Sequence, residues 1–392
     1  MDEVSIFAIV FIFAFGAAIG SFLNVVIYRV PRGESIAFPP SHCPSCGKSI
    51  QWYDNIPLIS WCVLRGQCRS CKQRISPRYL LIEAATALLL VLLFVWYFIY
   101  PTRDGLANFG TDWPTYIAHG VLLCGLLVCT ATDLDDWIVP LEVCWVVSVV
   151  GVALATVHPP EPAMLPQVSP TLGAMGAAAA VGLLISAIAQ ARGLLQPSFI
   201  DATDTVRCEN DKGKGKSQRI VSVAATKAHG VNPRREILRE VVYLAPAIGL
   251  ALAMWVVLSF SDGAFRWVNE LSRIGRWSPH WVGFQAALVG YLVGGLWIWG
   301  TRIFGTLGFG KEAMGLGDVH LLAAVGAVTG WITPSLAFFI APFFGLLWAL
   351  SVVISRKQRE IPYGPWLALA SLVVMLTYDG LIDYFQALAP IR

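Results

Sequence analysis

Charge is what this chain of 392 residues has least of. Asp, Glu, Lys and Arg together make 14% of it against 56% hydrophobic residues, and mean hydropathy is +0.64. A soluble chain carries roughly 25% charged residues. The deficit excludes an ordinary soluble protein and predicts a polytopic membrane protein, because a charge placed in hydrocarbon costs several kcal/mol. Also lacking is a basic stretch before the first apolar run: Asp2 and Glu3 stand there instead. That run, Val4 to Tyr28, is long enough to cross a bilayer, so it reads as a first span and not as a cleavable signal. No repeat of solenoid period is present.

What remains is apolar. Spans are predicted at 5–28, 79–100, 116–132, 141–157, 171–191, 241–260, 282–304, 319–333, 335–355 and 364–386, with Pro334 separating the eighth from the ninth; eight to ten spans is the expected range. With the N-terminus outside, 23 of the 28 Lys and Arg residues fall on cytoplasmic loops and five on external ones, as the positive-inside rule requires. The external stretch 158–170 is Pro-rich and reads as a short stiff linker. The run Lys212 to Lys216 reads as a flexible basic loop that sets topology and attracts anionic headgroups; without interleaved aromatics it gives no reason to expect nucleic acid as a partner. Gly16 and Gly20 form a GxxxG, which is more often ordinary helix packing than dimerisation.

Of nine cysteines, Cys43, Cys46, Cys68 and Cys71 form two CxxC pairs separated by 21 residues in the polar stretch 29–78. This spacing resembles a zinc ribbon, whose four thiolates close a structural tetrahedral shell. A redox pair or unliganded thiols are the alternatives, and the cytoplasmic placement disfavours disulfides. His42 is a neighbouring ligand candidate. Cys62, Cys124, Cys129, Cys144 and Cys208 read as buried small hydrophobes.

Two acids stand at span edges. Asp133 follows the run 116–132, and Asp318 closes Gly315-Leu-Gly317-Asp318 before the next run. The predicted topology puts both at cytoplasmic span ends, at one membrane depth, where helix packing could join them. Two close carboxylates titrate as a pair and can activate water and protonate a leaving amine. Gly315 and Gly317 would permit close approach and unusual φ. The competing readings are an interfacial acid or, for Asp318, a helix N-cap. Asp135 and Asp136 are nearby alternatives to Asp133.

These motifs, in this order, resemble the type IV prepilin (leader) peptidases, GxGD-type membrane aspartyl peptidases of the bacterial inner membrane. The similarity runs through Gly20 to Pro31, the paired CxxC motifs, Asn55 to Trp61, Arg78-Tyr79, Leu81 to Ala84, Asp133 with Val139-Pro140, Gly315 to Asp318, and Ile361 to Pro365. The resemblance implies that Asp133 and Asp318 are the catalytic pair, with Asp133 chosen over Asp135 and Asp136 because the proline follows it by seven residues. It leaves His320, where the family usually has Lys, and Glu83 as auxiliary candidates; Leu141 replaces the family's usual Asp or Asn. The implied substrates are type IV prepilins or type II secretion pseudopilins, cut at the cytoplasmic membrane face. Zinc is the implied structural metal, and S-adenosylmethionine the donor if the new N-terminus is also methylated.

The expected architecture is all-α with eight to ten transmembrane helices and a small cytoplasmic zinc-ribbon-like module. Its divisions are the first span (1–28), the four-cysteine zinc module (29–78), spans carrying the first Asp (79–191), an insertion with a basic loop and an extra span (192–281), and spans carrying GxGD (282–392). A proton-coupled transporter, or a secretion-system assembly scaffold with a zinc-binding docking module, is the alternative. Against it, no span shows a charged pair at mid-bilayer or the broken-helix symmetry of transporters.

Overall fold

The computed structural model describes residues 3–100, 105–106, 108–161, 164–198, 233–271, 278–355 and 362–388. The basic run 212–216, Cys208, Ile361 and residues 162–163 of the Pro-rich stretch lie outside them. Twelve α-helices are present among the described residues: α1 Glu3–Arg29, α2 Ile59–Val63, α3 Arg78–Phe94 (extended by a π turn, Val95–Ile99), α4 Phe109–Asp136, α5 Leu141–Val157, α6 Pro170–Ala191, α7 Pro233–Phe260, α8 Asp262–Leu271, α9 Ser278–Phe309, α10 Leu316–Thr329, α11 Ile332–Ser355 and α12 Gly364–Leu388. They contain no β-strand, only two isolated antiparallel bridges in the cysteine module.

All ten predicted spans are helices. Eight are long and apolar enough to cross a membrane, and α5 and α10 are shorter apolar helices. Several run past the predicted ends: α4 begins at Phe109 and α7 at Pro233. Hydropathy sees only the apolar stretch, whereas backbone hydrogen bonding continues into polar turns. Side chains cap two starts, Asn108 accepting from Gly110 N at 2.9 Å and Ser169 from Leu172 N at 3.3 Å. Large apolar side chains such as Phe7, Phe11, Leu92, Val149, Leu184 and Leu347 face outward, as a hydrocarbon solvent requires.

The short α10 explains the architecture. Its 14 residues rise only about 21 Å, less than a hydrocarbon core. It is nevertheless almost wholly buried, from Leu321 through Thr329 without interruption. A helix apolar on every face belongs in a core. It packs among α9, α5, α11, α4 and α12, and so needs no lipid contact of its own. The break before α11 falls at Gly330 (φ +76) and Trp331, whereas Pro334, expected to make the break, sits inside the first turn of α11.

Two other expectations change, and the reading of Gly16 and Gly20 as ordinary helix packing does not. The stretch 158–170 is no mere spacer: Met164 and Leu165 are buried in the bundle. The predicted outer loop 261–281 contains α8, which packs on α6 and α7. Gly16 and Gly20 lie against α3, where a Cβ on either would come within 3 Å of the Ala87 or Glu83 backbone; that close approach is intramolecular. The proline in α7, Pro246, removes the donor that the Val242 carbonyl would use, and Ser186 Oγ donates to the neighbouring Tyr243 carbonyl at 2.6 Å.

Candidate active site

Asp133 lies in the last turn of α4, and Asp318 in the first turn of α10. Gly315 holds the N-cap position of α10. Asp318 stands three residues farther on, so the N-cap reading of Asp318 fails. The structure brings the two acids together at the N-terminus of α12. Gly364 N–H donates to Asp133 Oδ2 at 3.1 Å. A Cβ placed on Gly364 would lie 2.6 Å from Asp133 Oδ2 and 3.5 Å from Asp318 Oδ1. Those two oxygens are therefore no farther apart than these distances laid end to end. Asp133 is buried, at 7% exposure, and Asp318 is half-buried. Pro365 follows directly at the start of α12, where its missing N–H costs nothing. By motif alone, 361–365 marks only the start of the last span. A Gly-Pro pair opening a helix is the available signal that a bare N–H points outward there.

The flanking acids go elsewhere. Asp135 pairs with Arg78 at the start of α3, and Asp136 lies 3.8 Å from Arg32 just beyond α1. Both are partly solvent-exposed, so these are helix-end ion pairs.

The two glycines of the motif differ in what they provide. Neither has positive φ; Gly315 sits at φ −71°. The expectation of unusual φ does not hold. Gly317 is required by proximity, because a Cβ there would meet Val139 Cβ at 2.6 Å, just before Pro140. A Cβ on Gly315 would meet only Asp318 Oδ2, at 3.8 Å, and the Gly317 backbone nitrogen, at 4.0 Å, so this glycine leaves room beside that carboxylate.

His320 packs on Trp145 of α5, ring centroids 5.7 Å apart. Two residues on along a helix is about 200° of rotation, which turns it away from Asp318. Glu83 is buried in α3, and its Oε2 accepts from Leu58 N at 2.8 Å. It anchors the 55–61 stretch, where Leu58 is held at φ +62. Arg29, which no sequence signal singles out, does similar work at the other end of the module, donating to the Ser35 and Pro39 carbonyls at 2.9 and 2.6 Å.

The four module cysteines converge, all Sγ atoms lying within 4.8 Å of one another. The two knuckles repeat one design. Cys43 N donates to Lys48 O at 2.9 Å and Cys68 N to Gln73 O at 2.8 Å. In each, the residue after the second cysteine, Gly47 or Lys72, takes positive φ. The bridges His42–Ser49 and Gln67–Arg74 flank them at matching offsets. Backbone N–H groups of Cys71 and Ser70 pull the Cys68 thiol down to about 6, and those of Cys46 and Ser45 lower Cys43. A tetrahedral zinc with ~2.3 Å bonds wants sulfurs about 3.8 Å apart; Cys43 and Cys71 are at 3.7 Å. The donor set and geometry fit a closed zinc shell. His42 Nδ1 contacts Pro40 O at 3.2 Å and is not among the four. Asp54, between the knuckles, accepts a fork from Arg69 at 2.6 and 2.8 Å, and that hydrogen bonding holds its carboxyl below the ordinary range. Cys129 and Cys144 are buried as expected, but Cys124 is half-buried and Cys62 is exposed.

The family described as Bacterial Peptidase A24 N-terminal domain matches residues 14–98, covering most of α1, the cysteine module and α3. A Myxococcus xanthus protein named prepilin leader peptidase/N-methyltransferase is 44% identical over 147 residues, 37% of this chain and 40% of that protein. One of the same name from Aeromonas hydrophila is 25% identical over 402 residues, 95% of this chain and 92% of its own length. Along nearly its whole length the chain is thus similar to type IV prepilin peptidases. A third relative of that name, from Klebsiella pneumoniae, is 50% identical over 88 residues. The chain spans 40% and 39% of the lengths of the Myxococcus and Klebsiella relatives. No solved structure matches it. Eight helices long and apolar enough to cross a membrane, together with its similarity to these peptidases, make it a multi-pass inner-membrane protein.

Proposed function

We propose that this chain is an aspartyl endopeptidase that removes the leader of type IV prepilins or type II secretion pseudopilins at the cytoplasmic membrane face, with Asp133 and Asp318 as its catalytic pair. The observation that carries the reading is their convergence on Gly364. In the reaction, the pair holds one proton between them. The ionised carboxylate takes a proton from water, whose oxygen attacks the scissile carbonyl. The protonated partner gives its proton to the carbonyl oxygen. Collapse of the tetrahedral intermediate returns a proton through the pair to the leaving amine and breaks the C–N bond. Gly364 N–H orients Asp133, and the space beside Gly315 admits the substrate backbone.

The cysteine module, taken as residues 29–78, holds zinc through Cys43, Cys46, Cys68 and Cys71 in a structural role. A ribbon this small has little core, so metal binding supplies much of its folding energy. The relatives' names also carry N-methylation, and we extend that activity to this chain with S-adenosylmethionine as donor. N-out topology follows from the Lys and Arg distribution; engineered cysteines at positions 212 and 163 should be labelled from opposite sides.

The deciding experiment incubates purified protein with a precursor bearing a basic leader, a Gly at the junction and an apolar segment, reading both new termini by mass spectrometry. Asp133→Asn or Asp318→Asn cleaving at the normal rate overturns the dyad. A transporter or docking scaffold would leave the precursor intact.

A further inference from the structure

One buried ion network ties α7 to the site. Arg302 of α9 is 2% exposed. Its Nε donates to Glu240 Oε1 of α7 at 2.9 Å. Its Nη1 donates to Glu312 Oε1 and to the Met314 carbonyl, each at 2.6 Å. Glu240 is 4% exposed and fully engaged, accepting also from Trp299 Nε1 and from Ser198 Oγ, the latter at 2.5 Å. No charged pair within the spans is evident from the sequence. There Arg302 and Glu240 read as separate loop-edge charges, yet they meet between two spanning helices.

The segment from 310 to 315 is laid back along α9. Gly310 (φ +68) ends the helix, and Ala313 N donates to Thr306 Oγ1 at 3.3 Å. A Cβ on Gly305 would meet Ala313 Cβ at 2.6 Å. Met314 directly precedes Gly315, the N-cap of the helix that presents Asp318. A guanidinium suits this place because its planar fork reaches several acceptors in fixed directions, which an ammonium cannot.

We infer that Arg302 is a positioning residue: by clasping the Met314 carbonyl while held by Glu240 and Glu312, it fixes the start of α10 and makes α7 part of the active-site scaffold. This rests on the reading of Asp318 as catalytic. It removes α7 from any dispensable insertion within 192–281.

The test compares Arg302→Lys, Glu312→Gln and Glu240→Gln with Asp318→Asn on the precursor described above, after checking each variant for wild-type elution and melting. Displacing a catalytic group by up to 1 Å can cost roughly 100-fold. Arg302→Lys should therefore lose about 10- to 100-fold in kcat with KM little changed. Glu312→Gln and Glu240→Gln, which keep shape and lose only charge, should lose a few-fold in kcat alone. A folded Arg302→Lys with wild-type kcat overturns the proposal, as does a loss confined to KM. If Arg302→Lys fails to fold, Glu312→Gln at a half-exposed position decides, and wild-type kcat there overturns it. If Glu240→Gln keeps wild-type kcat, the role of α7 is overturned. Normal cleavage by Asp318→Asn would instead sink the catalytic reading itself, which separates the two failures.

Discussion

Adding one methyl group at Gly364 should disable cleavage without unfolding the protein. The Cβ of Gly364→Ala would stand 2.6 Å from Asp133 Oδ2, and ordinary contact begins near 3.4 Å, so the carboxylate must retreat by up to about 0.8 Å. Misplacement on that scale costs roughly 10- to 100-fold. A second route gives the same range. The Gly364 N–H bond to Asp133 would be strained, and a hydrogen bond to a charged group contributes about 1.5–3 kcal/mol net. At 1.36 kcal/mol per tenfold, that is again roughly one to two orders of magnitude. The assay is kcat/KM on the precursor in detergent or nanodiscs, with Gly380→Ala as baseline. Gly380 lies in the same helix with nothing within 4 Å of an added Cβ, so alanine there is harmless or mildly stabilising. If folded Gly364→Ala matches Gly380→Ala in kcat/KM, the two carboxylates do not work as a pair at this helix start.

Asp135→Asn and Asp136→Asn should keep cleavage within a few-fold and cost at most about 1 kcal/mol in melting, since each breaks a partly exposed ion pair, whereas Asp133→Asn should lose at least roughly 1,000-fold; equal effects at all three would refute the assignment. Purified protein should carry one zinc, absent from Cys43→Ser/Cys46→Ser, as metal analysis would read. Zinc needs thiolates, so protons compete and affinity falls as pH falls; with Cys68 drawn down to about 6, retention should be full at neutral pH and release should rise below about 6. Leu58→Gly should make the module more resistant to protease, because positive φ strains a leucine by about 1–3 kcal/mol but not a glycine; greater sensitivity would show that the leucine side chain matters more.

What was legible in the sequence was what lipid and metal impose locally. A span must be a long apolar run, so ten helices could be read from hydropathy alone. Two CxxC knuckles at ribbon spacing named four candidate ligands, and the structure gathers those four sulfurs and leaves out His42. Span ends on one side marked the acids near 133 and at 318 as candidates, and the resemblance, not position, chose Asp133 over Asp135 and Asp136. What could not be read was how polar groups pair across the bundle. Glu83 and His320 are near the motifs in sequence, but Glu83 is spent on the Leu58 N–H and His320 on Trp145. Helical rotation, and not proximity in sequence, decides which residues face the dyad.

The same limit explains Gly364 and Arg302. Gly364 touches Asp133 across 231 residues of chain, and no local pattern encodes a contact of that range. Arg302 looks like a loop-edge charge that helps fix topology, since the positive-inside count treats each cation as independent. A buried guanidinium must instead be paired, because an unpartnered buried charge costs far more than a hydrogen bond returns. Glu240, Glu312 and the Met314 carbonyl, which accept from it, come from a neighbouring helix and a connecting loop, so the pairing emerges only once α7 and α9 are packed. It follows that α7, the segment least explained by motif, is held by the residue that also holds the chain just before Gly315. A deletion drawn around 192–281 would cut through this network, whereas one confined to 199–232 would leave Ser198, Glu240 and Arg302 in the chain.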